Sequence, residues 1–174
     1  IIRAQAQRAQ ARVLNERYLA LGSAAVEPLI ADIQVALKAG PVAVVNTLNG
    51  DSNIAFFQAL QKQGLNQRSD LKVLSLSVSE EEAVAIGRRK IAGTYASWSY
   101  FQNLQTPEST AFAQRFRQRY GYHRVVNDPA EAGYNLVHLW AQAVEAAGST
   151  ETNAVRSALM GRRVLAPQGS LQMM

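Results

Sequence analysis

Short apolar runs alternate with helical stripes along the first hundred residues. Runs at 42–48 and 73–78 have the length of buried strands, and further strands are predicted at 13–21 and 91–101. Between them, apolar residues three and four positions apart predict helices. The first helical stripe consists of Val26, Leu29, Ile30, Ile33 and Leu37. Strand and helix in alternation predict an α/β fold with three layers, α/β/α, around a mostly parallel open sheet.

Beyond residue 101 the pattern becomes almost entirely helical. Thr106 and Pro107 form a helix start, and Gly121 marks the end of that helix. A longer helix begins at Asp128, and its apolar residues predict that it is well buried. These residues are Tyr134, Leu136, Val137, Leu139, Trp140, Ala143 and Val144. A last helix is predicted at 151–160, and 164–173 is predicted to be an extended segment that turns at Gly169.

Composition narrows the function classes. The 174 residues carry a formal charge of +5, but the basic residues are scattered rather than gathered on one segment, so no nucleic acid is expected as a partner. The chain has no cysteine, which excludes disulfides and thiol catalysis. Two isolated histidines, His123 and His138, provide no set of metal ligands. Neither a metal nor a cofactor is therefore expected.

Short polar side chains follow two neighbouring predicted strands. Asn46, Asn49 and Asp51 come at the end of the first, and Ser77 and Ser79 at the end of the second. In open α/β sheets, ligands bind beyond the carboxyl ends of the strands. This set suits a small, neutral, hydrogen-bonding ligand. Ordinary turn and helix-cap chemistry explains the same residues equally well, so both interpretations stay open.

Two catalytic interpretations are weaker. Gly50-Asp51-Ser52 resembles the turn of esterases that use a Gly-Asp-Ser nucleophile, but neither histidine is preceded by Asp at the spacing that those enzymes need. Ser52 is predicted to be part of a helix cap instead. Glu80, Glu81 and Glu82 could serve as acid or base groups. With Ser79 before them, however, they match a capping box in which Ser79 is the N-cap.

Several motifs in order resemble one family. They are Asn46-Thr47-Leu48-Asn49-Gly50-Asp51-Ser52-Asn53-Ile54-Ala55-Phe56-Phe57, Ser75-Leu76-Ser77-Val78-Ser79-Glu80-Glu81-Glu82, Thr106-Pro107-Glu108, Asp128-Pro129-Ala130-Glu131-Ala132-Gly133-Tyr134 and Ala166-Pro167-Gln168-Gly169. Together they closely resemble the urea and short-chain-amide branch of the type I periplasmic solute-binding proteins of ABC transporters. The resemblance is collinear from about Ile2 to Met173.

The resemblance implies a non-catalytic receptor with two α/β lobes that close on urea or a short amide and deliver it to ABC permease subunits in the periplasm. It implies that Asn49, Gly50 and Asp51 contact the ligand amide. The second loop would be Ser77, Val78 and Ser79, and Trp98 would lie in a strand near the hinge. A ligand-sensing regulatory domain of the same fold is the alternative, and a Gly-Asp-Ser hydrolase is a remote one.

The resemblance also implies that the chain is a fragment. Residues 1–101 would be the C-terminal lobe without its first strand, 102–160 helices that pack on the N-terminal lobe, and 161–174 a hinge return segment. The sheet of the N-terminal lobe is missing, so we expect this chain to bind urea weakly or not at all. We also expect self-association, because the helices at 102–160 would expose an apolar face.

Overall fold

A computed structural model describes all 174 residues of the chain. The chain divides into two compact units. The first comprises residues 1–78 and 82–97, and the second comprises residues 79–81 and 98–174. Each unit has its own apolar core.

The first unit contains a three-stranded parallel sheet in the order β1-β2-β3. Its strands are β1 (Val42–Asn46), β2 (Leu71–Ser75) and β3 (Tyr95–Ala96). Its helices are α1 (Ile2–Arg8), α2 (Glu27–Leu37), α3 (Asp51–Lys62), α4 (Glu80–Ile86) and α5 (Arg88–Ile91). The first residues of α4 belong to the second unit. A single 3₁₀ turn spans Leu65–Gln67. Because β1 and β2 are in register, their last residues, Asn46 and Ser75, lie opposite each other. The predicted α/β class with a parallel sheet is thereby confirmed.

Apolar residues of α2 and α3 pack against the sheet to form the core of the first unit. The fully buried members include Phe56, Phe57 and Leu60 from α3, and the two phenyl rings meet edge to face at 5.4 Å. Val73 of β2 and Ile30 of α2 are buried with them. Burial of such side chains contributes about 2 kcal/mol each, so this packing fixes where β1 and α3 lie.

Two predicted strands in this unit are wrong. Residues 13–21 form no strand and are almost all exposed, and polar contacts hold them instead, such as the ion pair from Arg17 to Asp32 at 2.5 Å. Of the strand predicted at 91–101, only Tyr95–Ala96 pairs with β2. In both segments the residue pattern allowed a strand, but a strand forms only where a neighbour can complete its backbone hydrogen bonds.

The second unit consists of three helices and a hairpin. The helices are α6 (Pro107–Tyr120), α7 (Asp128–Ala147) and α8 (Thr152–Leu159). The hairpin pairs β4 (Arg163–Ala166) with β5 (Gly169–Gln172) in antiparallel fashion. Side chains cap all three helices, because Thr106, Asn127 and Glu151 each accept a hydrogen bond from the backbone three residues on. The predicted extended segment is confirmed, but its turn lies at Pro167 and Gln168, and Gly169 is already the first residue of β5.

The prediction that α7 is well buried is only partly right. Leu139 and Ala143 are buried, whereas Leu136, Val137 and Trp140 are each at least half exposed. With Leu159 and Met173 these exposed side chains line an apolar groove of about 320 Å³. The helical spacing predicted the apolar stripe on α7 correctly. How much of that stripe is buried depends on which neighbouring elements pack against the helix. None of the helices combines the length and apolar character that crossing a membrane requires.

Candidate functional site

The loop between β1 and α3 presents the polar residues that the sequence singled out. Asn49, Gly50 and Asp51 are all exposed, and Asp51 is the first residue of α3. Gly50 has a φ of 58°, a left-handed value that glycine adopts without strain. No side chain caps this helix. The side-chain carbonyl of Asn49 and the carboxylate of Asp51 are therefore available for hydrogen bonds at the carboxyl end of β1.

A buried amide pair lies directly beneath this loop. The side-chain nitrogen of Asn46 donates to Oδ1 of Asn53 at 2.8 Å, and Asn46 Oδ1 accepts from the backbone N–H of Leu48 at 2.9 Å. Nδ2 of Asn53 in turn donates to the carbonyl of Leu48 at 2.7 Å. Both amides are almost completely buried. Because they bond both the N–H and the carbonyl of Leu48, they fix the path of the chain into the loop.

Two serines at the end of β2 join the same network. Asn46 Nδ2 also donates to Ser75 Oγ at 3.0 Å, and Ser77 Oγ donates to the Leu48 carbonyl. Ser75 and Ser77 are both buried. The loops that follow β1 and β2 are therefore joined by hydrogen bonds between neighbouring strand ends. We call Asn46, Asn53, Ser75 and Ser77 the buried polar network.

The buried polar network contains two residues that the sequence prediction did not include. Asn46 and Ser77 were singled out there, but Asn53 and Ser75 were not. A signal for Ser75 does exist, since parallel strands that end together bring their last residues side by side, as with Asn46 and Ser75. Asn53 gave no such signal, because it sits inside a helical stripe and its burial depends on the turn that precedes it. Ser77 supports the loop from beneath with its hydroxyl already bonded.

The other predicted site residues differ in exposure. Val78 is buried in the apolar core of the first unit, so its side chain serves packing. Ser79 is buried in the second unit. Trp98, also in the second unit, is half-buried and lies two residues beyond β3, so the expectation that it belongs to a strand is wrong. Its indole N–H is buried without a hydrogen-bond partner, an unusual state for a polar group.

Ser52 does not have the surroundings of a nucleophile. Its side chain is 2% exposed, and its hydroxyl donates to the carbonyl of Ser23 at 2.8 Å. It therefore fastens the start of α3 to the segment before α2. The prediction that Ser52 caps the helix is wrong, because the N-cap position is Gly50. His123 and His138 are exposed, and the His138 ring packs on Tyr134 with 4.3 Å between ring centres.

The acidic start of α4 has structural partners. Glu80 Oε1 accepts from the backbone N–H of Gln102 at 2.7 Å, and Glu81 Oε2 accepts from Nδ2 of Asn127, also at 2.7 Å. Both contacts lie within the second unit. Both carboxylates therefore accept hydrogen bonds from structural groups, although Glu80 is half-buried and Glu81 is exposed. The helix begins at Glu80 as expected, and the reciprocal bonds of a capping box between Ser79 and Glu82 stay a prediction.

Comparisons with solved structures show a shared fold. A solute-binding protein of an ABC transporter from R. palustris, in complex with 4-hydroxybenzoate, aligns with a TM-score of 0.84 and 20% identity over 98% of this chain and 46% of that one. The closed leucine-, isoleucine-, valine-, threonine- and alanine-binding protein from Brucella ovis aligns with a TM-score of 0.81 and 17% identity, over 99% and 43%.

One curated relative carries an enzyme name. Limonene hydroxylase of Geobacillus stearothermophilus is 28% identical over 86 residues, which are 49% of this chain and 16% of that protein. The chain thus spans less than half the length of each of these proteins. A match to so small a part of the hydroxylase carries no activity over to this chain.

The family comparison covers the whole chain. Residues 1–174 match the periplasmic binding protein domain, a family of solute receptors rather than enzymes. This match agrees with the parallel sheet, with the polar loop beyond β1 and with the fold of the two solute-binding proteins. The chain belongs to the periplasmic binding protein domain family.

Proposed function

We propose that this chain is part of the solute-binding component of an ABC transporter, and that the complete receptor binds urea or a short-chain amide non-covalently between two lobes. The observation that carries the proposal is the exposed loop Asn49–Gly50–Asp51 above the buried polar network. A loop whose backbone is already fixed loses little conformational entropy when a ligand binds, and such preorganisation raises affinity.

The side chains of this loop favour a ligand with N–H groups. Asp51 presents a carboxylate, which accepts hydrogen bonds but donates none, and the Asn49 amide can both donate and accept. Urea and short amides offer N–H donors and a carbonyl acceptor without a net charge. The Asp51 carboxylate would repel an anionic ligand at the same place. These properties support an amide over a carboxylate.

Carboxylate ligands form the second candidate class. The solved relatives of like fold include one in complex with 4-hydroxybenzoate and one named for branched and small amino acids. An amino acid carries an ammonium group that Asp51 could bind, whereas an aromatic acid offers no such group. Amino acids therefore stand ahead of aromatic acids as the second class.

The remaining predicted ligand contacts belong to the same proposal. Ser77, Val78 and Ser79 would form the second loop, with Val78 acting through its backbone because its side chain is in the core. Trp98 lies in the second unit, and its contact with the ligand is proposed from the resemblance alone. In the complete receptor, residues 1–101 would be the C-terminal lobe, 102–160 helices on the N-terminal lobe, and 161–174 the hinge return.

The apolar groove on α7 supports this division of the chain. Leu136, Val137 and Trp140 expose apolar side chains together, and soluble proteins usually cover a contiguous patch of this kind. The N-terminal lobe of the complete receptor is the cover that we propose. The receptor would act in the periplasm and present its closed form to permease subunits. A sensing domain that controls a regulator remains the alternative, with the same ligand site.

Calorimetric titration of the complete receptor tests the ligand. We expect heat on addition of urea or acetamide, and little with leucine, benzoate or 4-hydroxybenzoate. If leucine is the only ligand that produces heat, the proposed ligand class would change from an amide to an amino acid. Absence of heat with urea and with every short amide would overturn the amide assignment. Ester hydrolysis that is lost in Ser52→Ala would overturn the non-catalytic assignment.

A further inference from the structure

The parallel sheet of the first unit is covered on one face only. Alternate residues of its strands, such as Val44 and Val73, pack into the core formed with α2 and α3. The residues between them point to the opposite face, where Val45 is 43%, Leu74 37% and Tyr95 59% exposed. Parallel sheets are ordinarily buried on both faces. We call Val45, Leu74 and Tyr95 the open sheet face.

Strand β1 forms one edge of this sheet, because it pairs with β2 alone. The N–H of Val42 donates to the carbonyl of Asp70 at 2.8 Å. The N–H of Leu76 donates to the carbonyl of Asn46 at 2.9 Å. In a parallel ladder, alternate residues of a strand bond to the same neighbour. The backbone groups that β1 directs to β2 are therefore those of residues 42, 44 and 46.

The other two residues of β1, Ala43 and Val45, direct their backbone groups away from β2. No backbone group of the chain pairs with them along that edge. Proteins usually protect a free edge with a charged side chain, a proline or a bulge. The segment Val42–Asn46 contains neither a charge nor a proline. Two N–H donors and two carbonyl acceptors are thus arranged for the addition of another strand.

Neither the extended segment at residues 13–21 nor a second copy of the chain explains this surface. The extended segment forms no bridge to β1, and side chains such as Arg17, which pairs with Asp32, hold it instead. Two copies joined at β1 would form a longer sheet, but strands added beside the open sheet face cover none of it. An occupant that completes both features brings a strand for the edge and an apolar helix for the face.

We propose that the β1 edge and the open sheet face are the docking surface for a strand and an apolar helix of the complete receptor, from outside residues 1–174. The strand bonds to the backbone of Ala43 and Val45, and the helix covers Val45, Leu74 and Tyr95. The proposal rests on the proposed function only in that the chain is part of a longer receptor. The solved relatives of like fold match this chain over 46% and 43% of their own lengths.

Hydrogen exchange followed by nuclear magnetic resonance tests the open edge without any variant. In the 174-residue chain, the amides of Ala43 and Val45 should exchange at least about tenfold faster than that of Val44, which bonds to β2. In the complete receptor, all three amides should exchange slowly, because the added strand accepts hydrogen bonds from Ala43 and Val45.

Two results would overturn the proposal. One is fast exchange of Ala43 and Val45 that persists in the complete receptor, because the edge would then be open there too. The other is slow exchange of these amides already in the 174-residue chain. A dependence on protein concentration would then identify a second copy as the occupant. No ligand enters these measurements, so failure of the amide assignment would leave them unchanged.

Leu74→Lys tests the cover on the open sheet face. In the complete receptor it should lower the melting temperature by about 2 °C or more, because the helix would bury an unpaired charge. In the 174-residue chain it should change the melting temperature little, because Leu74 is already in contact with water. Val35→Lys is the control, since Val35 is exposed on α2, on the covered side of the sheet. An equal response of the two proteins to Leu74→Lys would contradict the cover.

Discussion

Replacement of Asn53 with alanine tests whether the buried polar network fixes the loop at residues 49–51. Asn53 is fully buried near the start of α3. The substitution removes the hydrogen bond from Asn46 at 2.8 Å and the bond to the Leu48 carbonyl at 2.7 Å. Its contact with Ser77 Oγ, at 3.5 Å, is too long to add much.

The size of the effect can be worked from these contacts. Each of the two strong hydrogen bonds contributes about 1 kcal/mol of stability. Asn46 keeps its bond to Ser75 and the Leu48 carbonyl keeps its bond from Ser77, so neither group is left wholly unpaired. Alanine recovers roughly 0.5 kcal/mol through its higher helix propensity, and the lost packing costs roughly as much again. The net expectation is a loss of about 2 kcal/mol.

Hydrogen exchange measured by mass spectrometry provides the local assay. A loss of about 2 kcal/mol corresponds to roughly 30-fold faster exchange for amides protected by the affected structure. Peptides that cover Val42–Asn46 and Asp51–Lys62 should show it. Gln58→Ala is the matched control, because Gln58 is an exposed amide residue on the same helix. Its exchange should match that of the natural chain.

Two results would refute the reasoning. One is exchange in Asn53→Ala that equals that of Gln58→Ala, which would mean that the network does not hold this turn. The other concerns Asn53→Asp, which keeps the acceptor for Asn46 but can donate to Leu48 only when protonated. Burial raises the pKa of such a carboxyl, so this variant should be most stable at low pH and lose stability as pH rises. Insensitivity to pH would contradict the bond to Leu48.

Three further expectations concern the surface and the helix ends. Light scattering should show self-association of the chain, and the association should weaken in Trp140→Lys, which places a charge on the exposed apolar face. Val84→Lys is the control, because Val84 is exposed outside that face, and it should leave the association unchanged. A monomeric mass in dilute solution would contradict this prediction. Thr106→Ala should lower stability by about 1 kcal/mol in thermal unfolding, because Ser109 N–H loses its acceptor at 3.2 Å, and Thr106→Ser should restore it. Gly64→Ala should lower the free energy of unfolding by about 1 kcal/mol, because φ is 67° at this position and alanine is strained there. An unchanged melting temperature would contradict this backbone strain.

The sequence predicted helices well where their ends carry chemistry. Thr106 with Pro107, the Asp128-Pro129 start and Gly121 as a stop all lie at or within one residue of the observed ends. Such signals are local, because a cap side chain bonds a backbone N–H three residues away. They can therefore be recognised without knowledge of the rest of the fold.

Strands and burial were harder to predict for a physical reason. A strand needs a partner, and residues 13–21 have none in the structure. Leu136 and Trp140 lie on an apolar stripe, but a stripe does not show which of its residues another element covers. Likewise, the burial of Asn53 follows from a turn that brings Leu48 back toward α3. Each of these features depends on contacts between residues that the local pattern does not specify.

Calorimetric titration of the complete receptor with urea and acetamide, repeated on Asp51→Asn, tests the central claim most directly. A hydrogen bond to a charged group contributes about 1.5–3 kcal/mol, so loss of the carboxylate should weaken binding by roughly 10- to 100-fold. Our account predicts heat with a short amide and that loss of affinity in the variant. No heat with any short amide, or amide binding that is unchanged in Asp51→Asn, would contradict it.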